Sequence, residues 1–134
     1  MNTVDNASLH HAILTSIVER GYAPEPDELA ERFEAPLEEV ERALRALHDD
    51  HGVVLHPFST KIWVAHPFSC APTGHVLRRG DRVWWSNCAW CSLGGAALLG
   101  GEVTIHTTLG GEERPIELRV VGGELLDTGY VVHF

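Results

Sequence analysis

The fold of this chain is organised around the stretch Trp84-Trp85-Ser86-Asn87-Cys88-Ala89-Trp90-Cys91-Ser92-Leu93-Gly94-Gly95. The stretch contains three of the four tryptophans and two of the three cysteines. Its first residues are typical of a strand, and the small-residue segment that follows predicts a helix over residues 88–99. We expect Ser86 or Asn87 to cap this helix, because either side chain can accept hydrogen bonds from the first-turn amides.

Cys88 and Cys91 are the candidate functional residues of this stretch. With a cap at residue 86 or 87, Cys88 lies at or near the first helical position, where the helix dipole favours thiolate over thiol. Cys91 follows three residues later and is therefore expected on the same helix face. The spacing predicts a soft-metal site or a redox dithiol. The alternative interpretation is a pair of small buried hydrophobic residues.

Length and composition indicate an ordinary globular protein. The chain has 134 residues, of which 44% are hydrophobic, enough for one domain or two very small ones. No apolar run approaches the roughly 20 residues that span a bilayer, and no basic segment resembling a secretory signal opens the chain. Three cysteines without a targeting segment favour a reduced protein, so we expect a cytoplasmic location and no membrane partner.

The charge distribution argues against a nucleic-acid partner. The formal net charge is −9, and residues 1–56 contain 12 acidic and 4 basic side chains. Nucleic-acid affinity depends largely on Lys and Arg neutralising phosphates, which this balance does not favour. The composition therefore predicts a small-molecule or metal ligand.

Residues 1–65 are predicted to form a winged-helix-like region. Apolar residues recur at helical spacing over residues 7–21, 27–33 and 37–47, with Pro36 expected at the first position of the third helix. Leu37, Val40 and Leu44 are expected on the buried face of that helix. Two short strand-type runs, 53–55 and 62–64, then flank a turn. Because the third helix is rich in glutamate, we expect a packing module rather than a DNA reader.

Residues 66–134 are predicted to form a second, β-rich domain. After a turn-rich linker over residues 66–74, strand-type runs occur at 75–78, 82–85, 102–107, 116–120 and 130–134, and Gly110-Gly111 predicts a hairpin turn. The predicted fold class is α+β: a small winged-helix-like helical lead packed on a β-rich domain around one central helix.

Three segments of the second domain resemble the alkylmercury lyase (organomercurial lyase) family. They are His66-Pro67-Phe68-Ser69 with Pro72-Thr73, Trp84 to Trp90 with its Asn-Cys-Ala-Trp run, and Val132-His133-Phe134. The resemblance covers residues 25–134, including the winged-helix-like lead. It implies an activity in which two cysteines and one aspartate cleave a carbon–mercury bond. In that family the thiolates take the metal and a proton is delivered to the leaving carbon.

Of the three catalytic residues of the family, this chain has one at the matching position. Cys88 matches the first family cysteine, Cys91 stands where the family has its aspartate, and Gly129-Tyr130-Val131-Val132 stands where the second cysteine is found. Two functions follow. One is a thiol enzyme that cleaves a carbon–metal bond, or acts on a thiol-reactive small molecule, through Cys88 and Cys91. The other is a non-catalytic protein that binds a soft metal or small ligand on the same fold.

Further residues complete the predicted site. Cys70 is a candidate third metal ligand if the linker folds over the helix, and Trp85 and Trp90 are candidates to line an apolar ligand pocket. No cofactor is expected to be required, although Hg, Cu or Zn could bind the thiols. The nine histidines include no pair at helical ligand spacing, and we expect His75, His106 and His133 at ordinary sheet positions.

Overall fold

The computed structural model describes residues 4–109, 113–127 and 129–130 of the chain. The chain divides into two compact units, Met1–Ala65 and His66–Phe134. The described residues form four helices and eight strands, which confirms the α+β class. Within these ranges, no helix has both the length and the apolar character needed to cross a membrane.

The first unit consists of three helices followed by a pair of antiparallel strands. The elements are α1 (Asn6–Arg20), α2 (Pro26–Phe33), α3 (Leu37–Asp49), β1 (Val54–Leu55) and β2 (Ile62–Ala65). This is the element order that the sequence predicts. The assignment of this unit to the winged-helix class stays a prediction.

Local capping fixes where these helices begin and end. The Asp5 side chain accepts a hydrogen bond of 2.9 Å from a first-turn amide of α1, and Gly21 ends the helix in the left-handed region at φ 85°. A capping box between Glu25 and Glu28 opens α2. The prediction that Pro36 is the first helical residue of α3 is wrong: its ψ of 145° is extended, so Pro36 is the N-cap.

The core of the first unit is built from the predicted apolar stripes. Its helical members that are 0–2% exposed include Leu9, Ile13, Ile17, Leu29, Val40 and Leu44. Leu37 is 45% exposed, so the prediction that it joins the buried face of α3 is wrong. It occupies the first helical position, three residues before the first buried residue of that helix.

The second unit is an antiparallel sheet with one helix packed on it. Its strands pair in the order β3-β5-β4-β6-β7-β8. The elements are β3 (Phe68–Ser69), β4 (Val76–Arg79), β5 (Arg82–Ser86), α4 (Ala89–Leu99), β6 (Glu102–Thr108), β7 (Pro115–Val121) and β8 (Glu124–Leu125). This unit thus has strands and a single described helix, as the sequence predicts for this half of the chain.

Alternation along the strands determines which sheet face α4 covers. In β6, Val103, Ile105 and Thr107 are buried while the residues between them are not. Gly95 permits α4 to approach this face closely, because a Cβ there would lie 2.6 Å from Cδ1 of Leu77. Packing of α4 on the sheet places the amino-terminal end of that helix beside the end of β5.

Some predictions about this half are corrected by the structure, and others concern residues outside the described ranges. The linker over residues 66–74 contains strand β3, and β8 was not predicted. The predicted Gly110-Gly111 turn and most of the predicted strand over 130–134 lie outside the described residues, and Tyr130 itself is not in a strand.

Candidate functional site

The connection between β5 and α4 holds the candidate site. Ser86 is the last residue of β5 and is completely buried; its amide donates to the His75 carbonyl at 2.9 Å. The Asn87 amide donates to the Pro67 carbonyl at 3.0 Å. Two backbone hydrogen bonds therefore fix the direction in which the chain leaves the sheet for Cys88.

Cys88 is itself the N-cap of α4, so the prediction of a cap at Ser86 or Asn87 is wrong. Its backbone is extended, at φ −154° and ψ 176°, and its Sγ accepts a hydrogen bond of 3.3 Å from the Cys91 amide. Ser86 cannot take this role because pairing with Phe68 keeps it within the sheet. A sulfur at the N-cap lies next to the unpaired amides of the first turn, which attract negative charge.

The structure brings Cys88 and Cys91 together. Their Sγ atoms lie 3.1 Å apart, within reach of an S–H···S hydrogen bond. Both side chains are half-buried, and none of the three cysteines of the chain is in a disulfide. The two thiols can therefore act on one atom.

The surroundings of Cys91 disfavour its ionisation. Burial raises the pKa of the Cys91 thiol to about 11, with further contributions from its hydrogen bond to Cys88 and from the Cys88 charge. At neutral pH Cys91 therefore keeps its proton.

A group of polar side chains that the sequence did not single out as functional lies under the start of α4. We call it the polar cluster: Thr73, His75, Ser86 and Thr107. The Thr73 hydroxyl donates to the Ser86 carbonyl at 2.7 Å, and His75 Nδ1 lies 2.7 Å from Thr107 Oγ1. The Ser86 hydroxyl lies 3.4 Å from the Cys88 carbonyl, which links the cluster to the N-cap.

Burial lowers the pKa of His75, so that its imidazole is neutral at pH 7. The neutral ring shares one hydrogen bond with Thr107, which is only 6% exposed. The cluster therefore supports the Cys88 backbone through neutral hydrogen bonds. His106 points to the other sheet face, 3.3 Å from Glu117, and His133 lies outside the described residues.

The tryptophans predicted to line a pocket lie on different elements. Trp85 alternates with the buried Trp84 and Ser86, which places it on the sheet face opposite α4. Trp90 lies on α4 and is 55% exposed. The structure therefore does not bring Trp85 and Trp90 to one side of the sheet.

Cys70 follows β3 and is half-buried. Among the described residues, no three His, Cys, Asp or Glu side chains are arranged to hold one metal ion. Cys70 therefore does not complete a three-thiol set with Cys88 and Cys91 here.

Two cavities occur in the first unit, of about 460 and 230 Å³. The larger is lined by His11, Arg32 and Phe33 among others, and the smaller by Arg20 and Glu28 among others. Neither lining includes a cysteine or a tryptophan, so neither is the predicted ligand pocket.

Comparison with known proteins points to one family. Residues 68–134 match the family model described as alkylmercury lyase. The crystal structure of the mercury-bound form of MerB2 superposes with a TM-score of 0.72 at 23% sequence identity. That superposition covers 90% of this chain but 59% of the other, so this chain spans well under two thirds of the length of that protein. No curated protein sequence matches.

Proposed function

Because this chain belongs to the alkylmercury lyase family, we propose that it is an organomercurial-lyase-like thiol protein that uses Cys88 and Cys91. The substrate class is a small organomercurial, R–Hg–X, in which X is an exchangeable anion. The observation that carries the proposal is the 3.1 Å approach of two thiols at the start of α4, inside the segment that matches the family.

In the first step the Cys88 thiolate binds mercury. A sulfur–mercury bond forms, X⁻ leaves with the electron pair of its bond to mercury, and R stays on the metal. Cys88 suits this role because its sulfur lies at the N-cap, where the Cys91 amide donates to it. Its half-buried position leaves a path for a small ligand.

In the second step the Cys91 thiol supplies the proton. The carbon–mercury bond breaks, its electron pair takes the Cys91 proton to form R–H, and the Cys91 sulfur bonds to mercury. Atoms and charge balance, because Cys88–S–Hg–R and Cys91–SH become R–H and Cys88–S–Hg–S–Cys91. A pKa of about 11 keeps that proton on sulfur until the metal arrives. Binding to a metal then favours its loss.

The product geometry requires a modest side-chain movement. Mercury prefers two sulfurs in line, so at a bond length of about 2.3 Å, as for zinc thiolates, the sulfurs would be about 4.6 Å apart. In the structure they are 3.1 Å apart, so one thiol must rotate outward. Zinc prefers four ligands, and the described residues offer no third one near the pair, so mercury should be held more strongly than zinc.

We further propose that residues 1–65 and 66–134 are separate domains, the first a winged-helix-like module without a nucleic-acid partner. Two of its arginines are paired with carboxylates: Arg20 with Glu28 at 2.8 Å and Arg45 with Glu41 at 3.3 Å. These pairs and the acidic balance of the region disfavour phosphate binding. Sub-micromolar binding to duplex DNA at low salt, with a steep salt dependence, would contradict this proposal.

The proposal is tested by incubating the reduced protein with phenylmercuric acetate and measuring benzene and protein-bound mercury. We expect one benzene and one retained mercury per protein in a single turnover. Cys91→Ser should release no benzene, since a serine hydroxyl is a much weaker acid. Cys91→Asp, which restores the family residue, should release benzene but hold mercury less tightly. Cys70→Ser is the matched control and should behave like the parent.

A binding function is the second candidate, favoured by the departures from the family at Cys91 and at residues 129–132. A protein that only binds would retain phenylmercury on Cys88 without releasing benzene. If the parent protein retains mercury but releases no benzene, the binding proposal therefore replaces the lyase proposal.

A further inference from the structure

The paired thiols have a geometry that does not depend on any metal. Their sulfurs lie 3.1 Å apart, so an approach of about 1 Å brings them to the length of a disulfide bond, about 2.05 Å. They occupy the N-cap and the third helical position of α4, where a rotation of either side chain changes the distance without moving the backbone hydrogen bonds. A disulfide is therefore accessible to this pair.

We propose that Cys88 and Cys91 form a thiol–disulfide exchange centre that reduces small disulfides of the glutathione type. This activity goes beyond the proposed lyase function, because it requires neither a metal nor an organometallic substrate. The two activities exclude each other at any moment, since both use the same two sulfurs.

The first step of exchange belongs to Cys88. Its thiolate attacks one sulfur of the disulfide RS–SR; a Cys88–SR bond forms, and RS⁻ leaves and takes a proton from solvent. Cys88 is the attacking thiol because its sulfur lies at the N-cap of α4 and accepts a hydrogen bond from the Cys91 amide, whereas Cys91 follows at the third helical position. Cys88 is half-buried, so part of this residue is exposed to solvent.

The second step belongs to Cys91. Once Cys88 carries SR, the Cys91 thiol lies on the same helix face, and in the reduced protein its sulfur is 3.1 Å from that of Cys88. The Cys91 sulfur then attacks Cys88, the Cys88–Cys91 bond forms, and the second RS⁻ leaves with the proton that Cys91 gives up. In total the protein dithiol loses two electrons and two protons, and RS–SR becomes two RSH.

The experiment uses the full chain, reduced and free of metal, in mixtures of reduced and oxidised glutathione. Thiols are trapped with acid and alkylated, and intact mass with peptide mapping identifies each product. The parent should lose two hydrogens and contain a Cys88–Cys91 disulfide. Cys91→Ser should stop at glutathione on Cys88, and Cys88→Ser should react roughly tenfold more slowly than the parent. Cys70→Ser is the matched control and should match the parent.

The parent protein alone can overturn the proposal, so the test does not depend on the folding of a variant. Persistent glutathione on Cys88 without closure, a disulfide that includes Cys70, or unreacted Cys88 and Cys91 would each contradict it. Because this assay contains no mercury, its failure leaves benzene release from phenylmercuric acetate untouched. Conversely, closure of the disulfide without any benzene release would support the exchange activity and reject the lyase.

Discussion

The alkylation rate of Cys91 tests quantitatively whether this thiol keeps its proton at neutral pH. With a pKa of about 11 against an ordinary 9.0, the thiolate fraction of Cys91 at neutral pH is about 100-fold smaller than that of an ordinary cysteine. A thiolate of higher pKa is also more nucleophilic, with a Brønsted slope of about 0.4–0.5, which restores roughly tenfold. The net expectation is that folded Cys91 is alkylated about tenfold more slowly than the same residue in the unfolded chain.

The assay is initial-rate labelling with iodoacetamide between neutral pH and pH 11, read by peptide mass spectrometry. The reference is the same peptide labelled in urea, which removes the burial that is the largest cause of the shift. The folded Cys91 rate should rise about tenfold per pH unit up to about pH 10 and less steeply above it. Cys88→Ser should accelerate Cys91 only partly, because burial persists. Equal Cys91 rates in the folded and unfolded protein at neutral pH would refute the assignment of Cys91 as the proton-bearing thiol.

Two further predictions concern stability. Gly94→Ala should stabilise the protein by about 0.5–1 kcal/mol, because its Cβ would meet only Pro67 at 3.8 Å. Gly95→Ala should be about 1–3 kcal/mol less stable than the Gly94→Ala variant, because its Cβ would crowd the buried Leu77. Equal urea midpoints for the two variants would contradict the close helix–sheet contact. Burial lowers the pKa of His75 in the folded protein. The contribution of His75 to the free energy of unfolding should therefore be fully present above the ordinary histidine pKa of 6.5 and should decrease as the pH falls below that value. His75→Asn should flatten that acid limb in urea titrations, and an unchanged limb would exclude His75 as its source.

The regular elements were the most predictable part of the fold. Helical spacing located α1 and α3, and period-two alternation located β6 and β7, because each buries one face along most of its length. Leu37 shows the limit of this reasoning. Spacing assigns a residue to a face, but burial also requires a neighbour opposite that turn of the helix.

The site was predictable in composition but not in geometry. Spacing was sufficient to pair Cys88 with Cys91, since residues three apart share a helix face. The cap was not predictable, because Ser86 is a better capping residue than cysteine and only its pairing with Phe68 removes it from that role. The polar cluster depends on sheet register: His75 meets Thr107 from 32 residues away. No local pattern encodes such a contact.

Alternation also explains why the tryptophans do not form the expected pocket. Consecutive residues of a strand point to opposite faces, so only one of Trp84 and Trp85 could lie under α4. The structure buries Trp84 there, at 2% exposure, and places Trp85 on the other face. A ligand at Cys88 is therefore expected to contact α4 residues rather than Trp85.

X-ray absorption at the mercury edge, recorded after the reduced protein has reacted with one equivalent of phenylmercuric acetate, tests the central claim most directly. If Cys88 takes the metal and Cys91 gives up its proton to the carbon, mercury should have two sulfur neighbours at about 2.3 Å and no carbon neighbour. Cys70→Ser should give the same spectrum. One sulfur and one carbon neighbour would show phenylmercury still bound to a single thiol, and would contradict the account.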